Sequence, residues 1–172
     1  MKINFDQVVS IDFETYYDQR YSLRSKDYNT SSYIRDPQFQ IHCCAIKFGH
    51  KKSRCYPRDQ AIKILQDIDW TQHDLLAHNV AFDGLICSHH LGIVPRRYFD
   101  TLAMTRGLHA EVSRADLDTI AKFYGIGAKT EGLVNTKGQR DLDKDTLRDL
   151  MSYCNNDNEL CFSVFEKQIE VF

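Results

Sequence analysis

Three short segments place carboxylates where packing alone would not call for them. In Val8–Glu14, Val9, Ile11 and Phe13 alternate with Ser10, Asp12 and Glu14, the two-residue period of a strand. Asp12 and Glu14 therefore project from one face, close enough to repel. Two carboxylates side by side on a strand with apolar flanks are costly unless a cation sits between them; the structural alternative is a strand face that is acidic because it meets solvent. In His78-Asn79-Val80-Ala81-Phe82-Asp83-Gly84, Asn79 and Asp83 are four apart and fall on one side of an opening helical turn. Here the alternative is ordinary helix electrostatics, a carboxylate near a positive helix N-terminus. Tyr153 and Asp157 are i and i+4 on a helical pattern whose face also carries Leu147, Leu150, Cys154, Cys161 and Val164. Asp157 then points along an apolar stripe into the protein, where acids are rarely left unpaired; a buried Arg or backbone amides could equally be its partner.

The elements that must hold these groups are legible in outline. Val8–Glu14 is a strand, residues 20–40 form a polar, Tyr-rich excursion with a short helix before Pro37, and Ile41–Phe48 and Lys51–Tyr56 make a hairpin around Gly49-His50. A helical pattern over Arg58–Ile68 is followed by a short apolar strand at Asp74–Ala77, a helix over Ala81–Leu91, a brief strand at Arg97–Phe99, and helices over Thr101–His109 and Ala115–Tyr124, the last stopped by Gly125. Residues 125–140 read as a loop, and a long helical pattern runs from Asp143 onward with a break expected near Asn155-Asn156. Strands first, then strands mixed with helices, predict an α/β sandwich around a mixed sheet.

Composition narrows the function classes. With 172 residues, 42% hydrophobic and 27% charged, the chain fits one globular domain over residues 1–172. No apolar run suffices to span a membrane and no signal peptide is read at the start, so a cytoplasmic setting is expected. A net charge of -2, from 22 bases and 24 acids, argues against histone-like electrostatic wrapping of nucleic acid but not against an enzyme that touches it locally. The six cysteines lack a C-x-x-C and read as reduced buried thiols. His42-Cys43-Cys44 and His89-His90 lack paired ligand spacing, so no zinc is expected. Gly125-Ile126-Gly127-Ala128-Lys129-Thr130 fails the P-loop pattern, because Ala128 stands where glycine should precede lysine.

Taken in order, Ser10-Ile11-Asp12-Phe13-Glu14-Thr15, Leu76-Ala77-His78-Asn79-Val80-Ala81-Phe82-Asp83 and Tyr153-Cys154-Asn155-Asn156-Asp157 resemble the three motifs of the DEDD (DnaQ-like) superfamily of proofreading-type 3′–5′ exonucleases. Asp100-Thr101 and Leu117-Asp118-Thr119-Ile120-Ala121 are similar to family features between the second and third motifs. One branch of the superfamily uses His and the other Tyr to position the attacking water. The last histidine, His109, lies far before Asp157, while Tyr153 has the tyrosine spacing, so the chain resembles the tyrosine (DEDDy) branch. The wording around Ile11–Thr15 and Leu76–Ile86 is most similar to the exonuclease domains of bacteriophage-type family A DNA polymerases.

The resemblance implies a ribonuclease H-like three-layer fold, a mixed central sheet flanked by helices. It implies two divalent ions, Mg²⁺ or Mn²⁺, suited to an all-oxygen donor set and able to clamp a scissile phosphate. Asp12 would bridge both ions, Glu14 and Asp157 complete one site, and Asp83 hold the other. Tyr153 would orient the water through its hydroxyl; with an ordinary pKa of about 10 it is a poor general base at pH 7. The implied reaction removes nucleoside 5′-monophosphates from a single-stranded or frayed DNA 3′ end, as proofreading for a DNA polymerase in cis or trans, in a bacterial or phage-infected cytoplasm. Asn79, Phe82, Thr15 and His78 are the candidate substrate contacts, with Tyr16 or Tyr17 also placed to stack on a base, although Phe82 reads more simply as core. Lys51, Lys52, Arg54, Arg96, Arg97, Lys129 and Lys137 are candidate phosphate contacts. Three alternatives stand beside this reading: an RNA-trimming exonuclease of the same superfamily, a non-catalytic polymerase-docking module, and, last, a D-x-D phosphatase. The apolar ending Val171-Phe172 fits either docking onto a polymerase or excision from one.

Overall fold

The computed structural model describes residues 3–129 and 134–171. After a single 3₁₀ turn at Phe5–Gln7 come strand β1 (Val8–Thr15), helix α1 (Thr30–Arg35), strands β2 (Ile41–Phe48) and β3 (Arg54–Pro57), helix α2 (Arg58–Gln66), strand β4 (Asp74–Ala77), helix α3 (Val80–Leu91), strand β5 (Arg97–Asp100), and helices α4 (Thr101–Leu108), α5 (Leu117–Phe123) and α6 (Lys144–Val171). The strands form one sheet in the order β3-β2-β1-β4-β5. β1 pairs antiparallel with β2 and parallel with β4. This is the mixed sheet flanked by helices that the sequence predicts, with the ribonuclease H-like architecture.

The alternation along β1 sorts the two faces. Val9, Ile11 and Phe13 join the core shared with Leu65 of α2 and Ile86 and Cys87 of α3. Val8 and Leu76 pack instead against Ile120 of α5 and Phe162 and Phe165 of α6. Burial of these faces, at roughly 25 cal/mol per Å² of apolar surface, is what makes the short strands viable. Gly49 turns the β2–β3 hairpin at φ +50°, and an added Cβ would lie 2.8 Å from the Phe5 carbonyl oxygen, so both backbone angle and space demand glycine there.

Two expectations need correction. The third strand is Arg54–Pro57 rather than Lys51–Tyr56, because residues 51–53 are spent turning the chain. The long helix has no break at Asn155-Asn156. α6 is continuous for 28 residues, roughly 42 Å, because its polar residues find partners on the sheet. Asn158 accepts from the Ser10 hydroxyl at 2.5 Å and donates to Ser53 Oγ at 3.0 Å, while Asn155 Oδ1 accepts from Ser53 Oγ at 3.0 Å. The run Gly125–Thr130 leaves the described residues at Thr130, and Phe172 lies outside them as well.

Candidate active site

β1 delivers the first two acids. Its Ser10, Asp12 and Glu14 face looks toward α6, and carboxylate oxygens of Asp12 and Glu14 lie within 4.8 Å of each other and of Cys154 Sγ. Asp12 Oδ2 is sealed from solvent and has no hydrogen-bond partner. Burial raises the Asp12 pKa from 3.8 to about 7, helped by the charge of Asp157 and opposed by that of Lys129. Glu14 is raised well above its ordinary value by burial and by the charges of Asp12 and Asp157.

Asp83 arrives from the first turn of α3. β1 is partnered by β4 only through Val8, Val9 and Ser10, so the backbone beyond has no strand on that side. Asp83 Oδ1 fills the gap, accepting from the Phe13 amide at 3.0 Å. Burial and then the charge of Asp12 hold its pKa well above the ordinary range. The turn that aims it is set by Asn79, the one described non-glycine residue with positive φ, at φ 73°, a conformation asparagine tolerates better than most residues. Asn79 thus precedes α3 as its left-handed cap and does not share a helical turn with Asp83. Its amide donates to Asp100 Oδ1 at 2.9 Å, and the same oxygen accepts from Leu102 and Ala103 at the start of α4.

α6 supplies Asp157, which is 4% exposed. Its Oδ2 accepts from the Lys129 ammonium, which also donates to the Tyr153 hydroxyl at 3.2 Å; its Oδ1 is buried without a partner. Burial raises the Asp157 pKa while the bond from Lys129 lowers it. Burial and the charge of Asp157 push the Tyr153 pKa up, so the phenol stays protonated at neutral pH. Lys129 was expected at a phosphate; its placement among the acids was not foreseeable from a lysine on a loop.

The remaining candidates divide. Phe82 and Thr15 join Glu14, Phe13, Tyr17 and Tyr33 around a cleft of about 360 Å³. Thr15 Oγ1 is 2.9 Å from the Tyr33 hydroxyl. Phe82 also packs on the core. Tyr16 is buried against Tyr21, whereas Tyr17 lines the cleft. His78 turns toward α4, with Nδ1 2.8 Å from Thr101 Oγ1; burial lowers its pKa to about 4, leaving it neutral. Arg96 and Arg97 both clasp Asp74, at 2.8 and 2.6 Å. Lys51, Lys52 and Arg54 are exposed; the 51–52 turn follows Phe48, which pairs with Val9 at the far end of β1 from Glu14.

Four acids and one ammonium cannot all ionise comfortably. Two buried, unpartnered carboxylate oxygens, an all-oxygen donor set and mutually raised pKa values fit one or more hard divalent cations.

Fold and site together define a ribonuclease H-like α/β protein with a carboxylate cluster at the end of its central strand. A scan against protein-family models finds no match, and neither does a search of curated proteins. Among solved structures, NrnC of Brucella melitensis superposes with a TM-score of 0.67 at 15% identity, over 95% of this chain and 72% of that one; it has also been solved with bound Mg²⁺ and bound to pGG. RNase D of Escherichia coli, described as an exoribonuclease involved in structured RNA processing, gives 0.61 at 14% identity over 96% of this chain and 39% of that one. The catalytic core of RRP6 from Trypanosoma brucei gives 0.62 at 12% identity, over 95% and 40%. At these identities the likeness is one of fold.

Proposed function

We propose that the chain is a metal-dependent 3′–5′ exonuclease of the tyrosine branch, hydrolysing the terminal phosphodiester of a DNA strand and releasing nucleoside 5′-monophosphates, in a proofreading role beside a DNA polymerase. The observation that carries this is the crowding of Asp12 and Glu14 on β1, with oxygens within 4.8 Å of each other, and of Asp157 on α6, whose charge raises the pKa of both; Asp12 and Asp157 each carry a sealed, unpartnered oxygen, and Glu14 lines a cleft of about 360 Å³, which is within the range of small-ligand pockets. Asp12, Glu14, Asp83 and Asp157 would hold two Mg²⁺ or Mn²⁺ ions, which when bound supply water activation and neutralisation of the phosphate. Phe82 and Tyr17 offer aromatic surface to the terminal base, and Thr15 and Asn79 offer hydrogen bonds. Tyr153, kept protonated, orients the attacking water and does not take its proton. Lys129 balances Asp157 and, with a third of its side chain exposed, offers a cation to a phosphate oxygen.

A second reading keeps the chemistry and exchanges DNA for RNA. RNase D and NrnC bound to pGG favour it as structural neighbours. Matched 5′-labelled DNA and RNA oligomers, digested with Mn²⁺ and resolved by length, separate the two: a ladder shortening from the 3′ end is expected, faster on DNA. Faster loss of RNA overturns the DNA assignment, and equal digestion by Asp12→Ala overturns the site.

A further inference from the structure

Against the back of the carboxylate site lies a cluster that the proposed reaction does not use. Cys43 of β2, Cys55 of β3 and Cys154 of α6 are all free and buried, with their three sulfur atoms within 4.8 Å of one another. The register explains the meeting. Cys55 pairs with Ala45, and Cys43 pairs with Pro57, so Cys43 and Cys55 are diagonal neighbours on the face that α6 covers. Their surroundings are apolar: Ala45 and Leu150 complete the buried cluster, and Val134, Leu142, Leu147 and Met151 pack around it. Cys44, the adjacent thiol, points to the opposite core with Cys87.

We propose that Cys43, Cys55 and Cys154 form a binding site for one soft divalent cation of the zinc–cadmium–mercury class, separate from the oxygen site though sharing a wall with it. Metal–sulfur bonds of about 2.3 Å place the sulfurs of a three-thiolate site about 4 Å apart. Sulfurs already within 4.8 Å need close by less than about 1 Å. Thiolates select soft ions, and carboxylates select Mg²⁺ and Mn²⁺, so each site discriminates by donor chemistry. Binding releases up to three thiol protons to solvent and leaves one net negative charge when all three sulfurs ionise. A divalent ion therefore suits the site better than a monovalent one, which would leave two negative charges beside Asp12 and Glu14. Cys55 sits on the edge strand of the sheet and, at 8% exposed, is the least buried of the three.

Cys154 couples the two sites. Its thiol donates to the Asp12 carbonyl oxygen at 3.1 Å, and a metal-bound thiolate has no proton left to donate.

The test needs no activity and so stands or falls apart from the nuclease reading. Reduced, metal-free protein is titrated with Cd²⁺ while sulfur-to-cadmium charge-transfer absorption in the ultraviolet is followed. One equivalent should produce the band, excess Mg²⁺ should leave it in place, and Cys55→Ser and Cys43→Ser should each weaken binding by at least about 100-fold, whereas Cys87→Ala should not. Slow native alkylation, read residue by residue by peptide mass spectrometry, checks the assignment in the parent protein: Cd²⁺ should shield Cys43, Cys55 and Cys154 together. No band in the parent, a band untouched by both serine variants, or protection that falls on Cys44, Cys87 or Cys161 instead overturns the proposal.

Discussion

Asp12→Asn should make the metal-free protein more stable while abolishing the proposed hydrolytic activity. Asp12 ionises near 3.8 when unfolded and at about 7 when folded. At about 1.4 kcal/mol for each tenfold change in proton affinity, keeping this group charged costs the fold about 4 kcal/mol. That is a ceiling, since Asp12 shares its titration with Glu14 and Asp157 and is only partly enclosed, and a gain of about 1–3 kcal/mol is expected. The amide leaves one buried polar atom without a partner, but Asp12 Oδ2 is in that position already, so no new penalty of that kind arises. The sign follows from linkage: an acid whose folded pKa is raised imposes no penalty below its unfolded pKa, a growing one between the two values, and the full one above the folded value. The advantage of Asp12→Asn should therefore be slight near pH 4 and greatest near pH 8. Thermal unfolding in chelator reads it as a rise of roughly 2–4 °C per kcal/mol for a domain of this size. Added Mg²⁺ should then raise the midpoint of the parent and do much less for the variant. A variant less stable than its parent near pH 8 without metal, or one with an equal gain at both pH values, would refute the argument that a crowded, cation-demanding Asp12 sits here.

Lys129→Met removes the ammonium that neutralises Asp157; with the lysine side chain 33% exposed, metal-free stability should fall by only about 1–2 kcal/mol, and saturating Mn²⁺ should restore it, which urea unfolding with and without metal checks. Tyr153→Phe keeps the ring and loses the hydroxyl, so kcat should drop by about 10²-fold with little change in KM; an unchanged kcat would remove Tyr153 from the chemistry. Phe82→Ala strips aromatic surface from the cleft and should lower kcat/KM by roughly 5- to 150-fold, from about 1–3 kcal/mol of stacking, and the loss should be smaller on an oligomer whose 3′ terminus is abasic.

Much of the fold was written in local periodicity. β2 and β4 fall on their predicted residues, and the alternation in β1 sorted both faces correctly. What periodicity could not see was partnership at a distance. Asn155-Asn156 reads as a helix break because local propensity is blind to Ser53 and Ser10, which bond Asn155 and Asn158; the side-chain amide nitrogen of Asn156 is buried without a partner. Asp12 and Glu14 can be singled out because two carboxylates on one strand face repel, and Asp157 because an acid on an apolar helix stripe is expensive; both costs are visible in a sequence. Lys129 on α6's acid and the meeting of Cys43, Cys55 and Cys154 could not, since neither has a spacing: each is assembled by the crossing of elements far apart in the chain. His42, Cys43 and Cys44 are neighbours in sequence, whereas the thiols that meet are brought together by two strands and the helix that crosses them.

The brevity of β4 has a consequence for how this protein can vary. Its pairing with β1 stops at Ser10 and Leu76, and the vacancy alongside Phe13 is occupied by the carboxylate of Asp83, which stands in for a missing length of strand. On the proposed function, one side chain is thereby both masonry and tool. Lineages that drifted toward a longer, better-knit β4 would displace Asp83 and seal the opening, while those that lost Asp83 would leave a backbone amide bare in the middle of the sheet. Neither change can be made alone without harm, so this corner is one where sturdiness and use are inherited together.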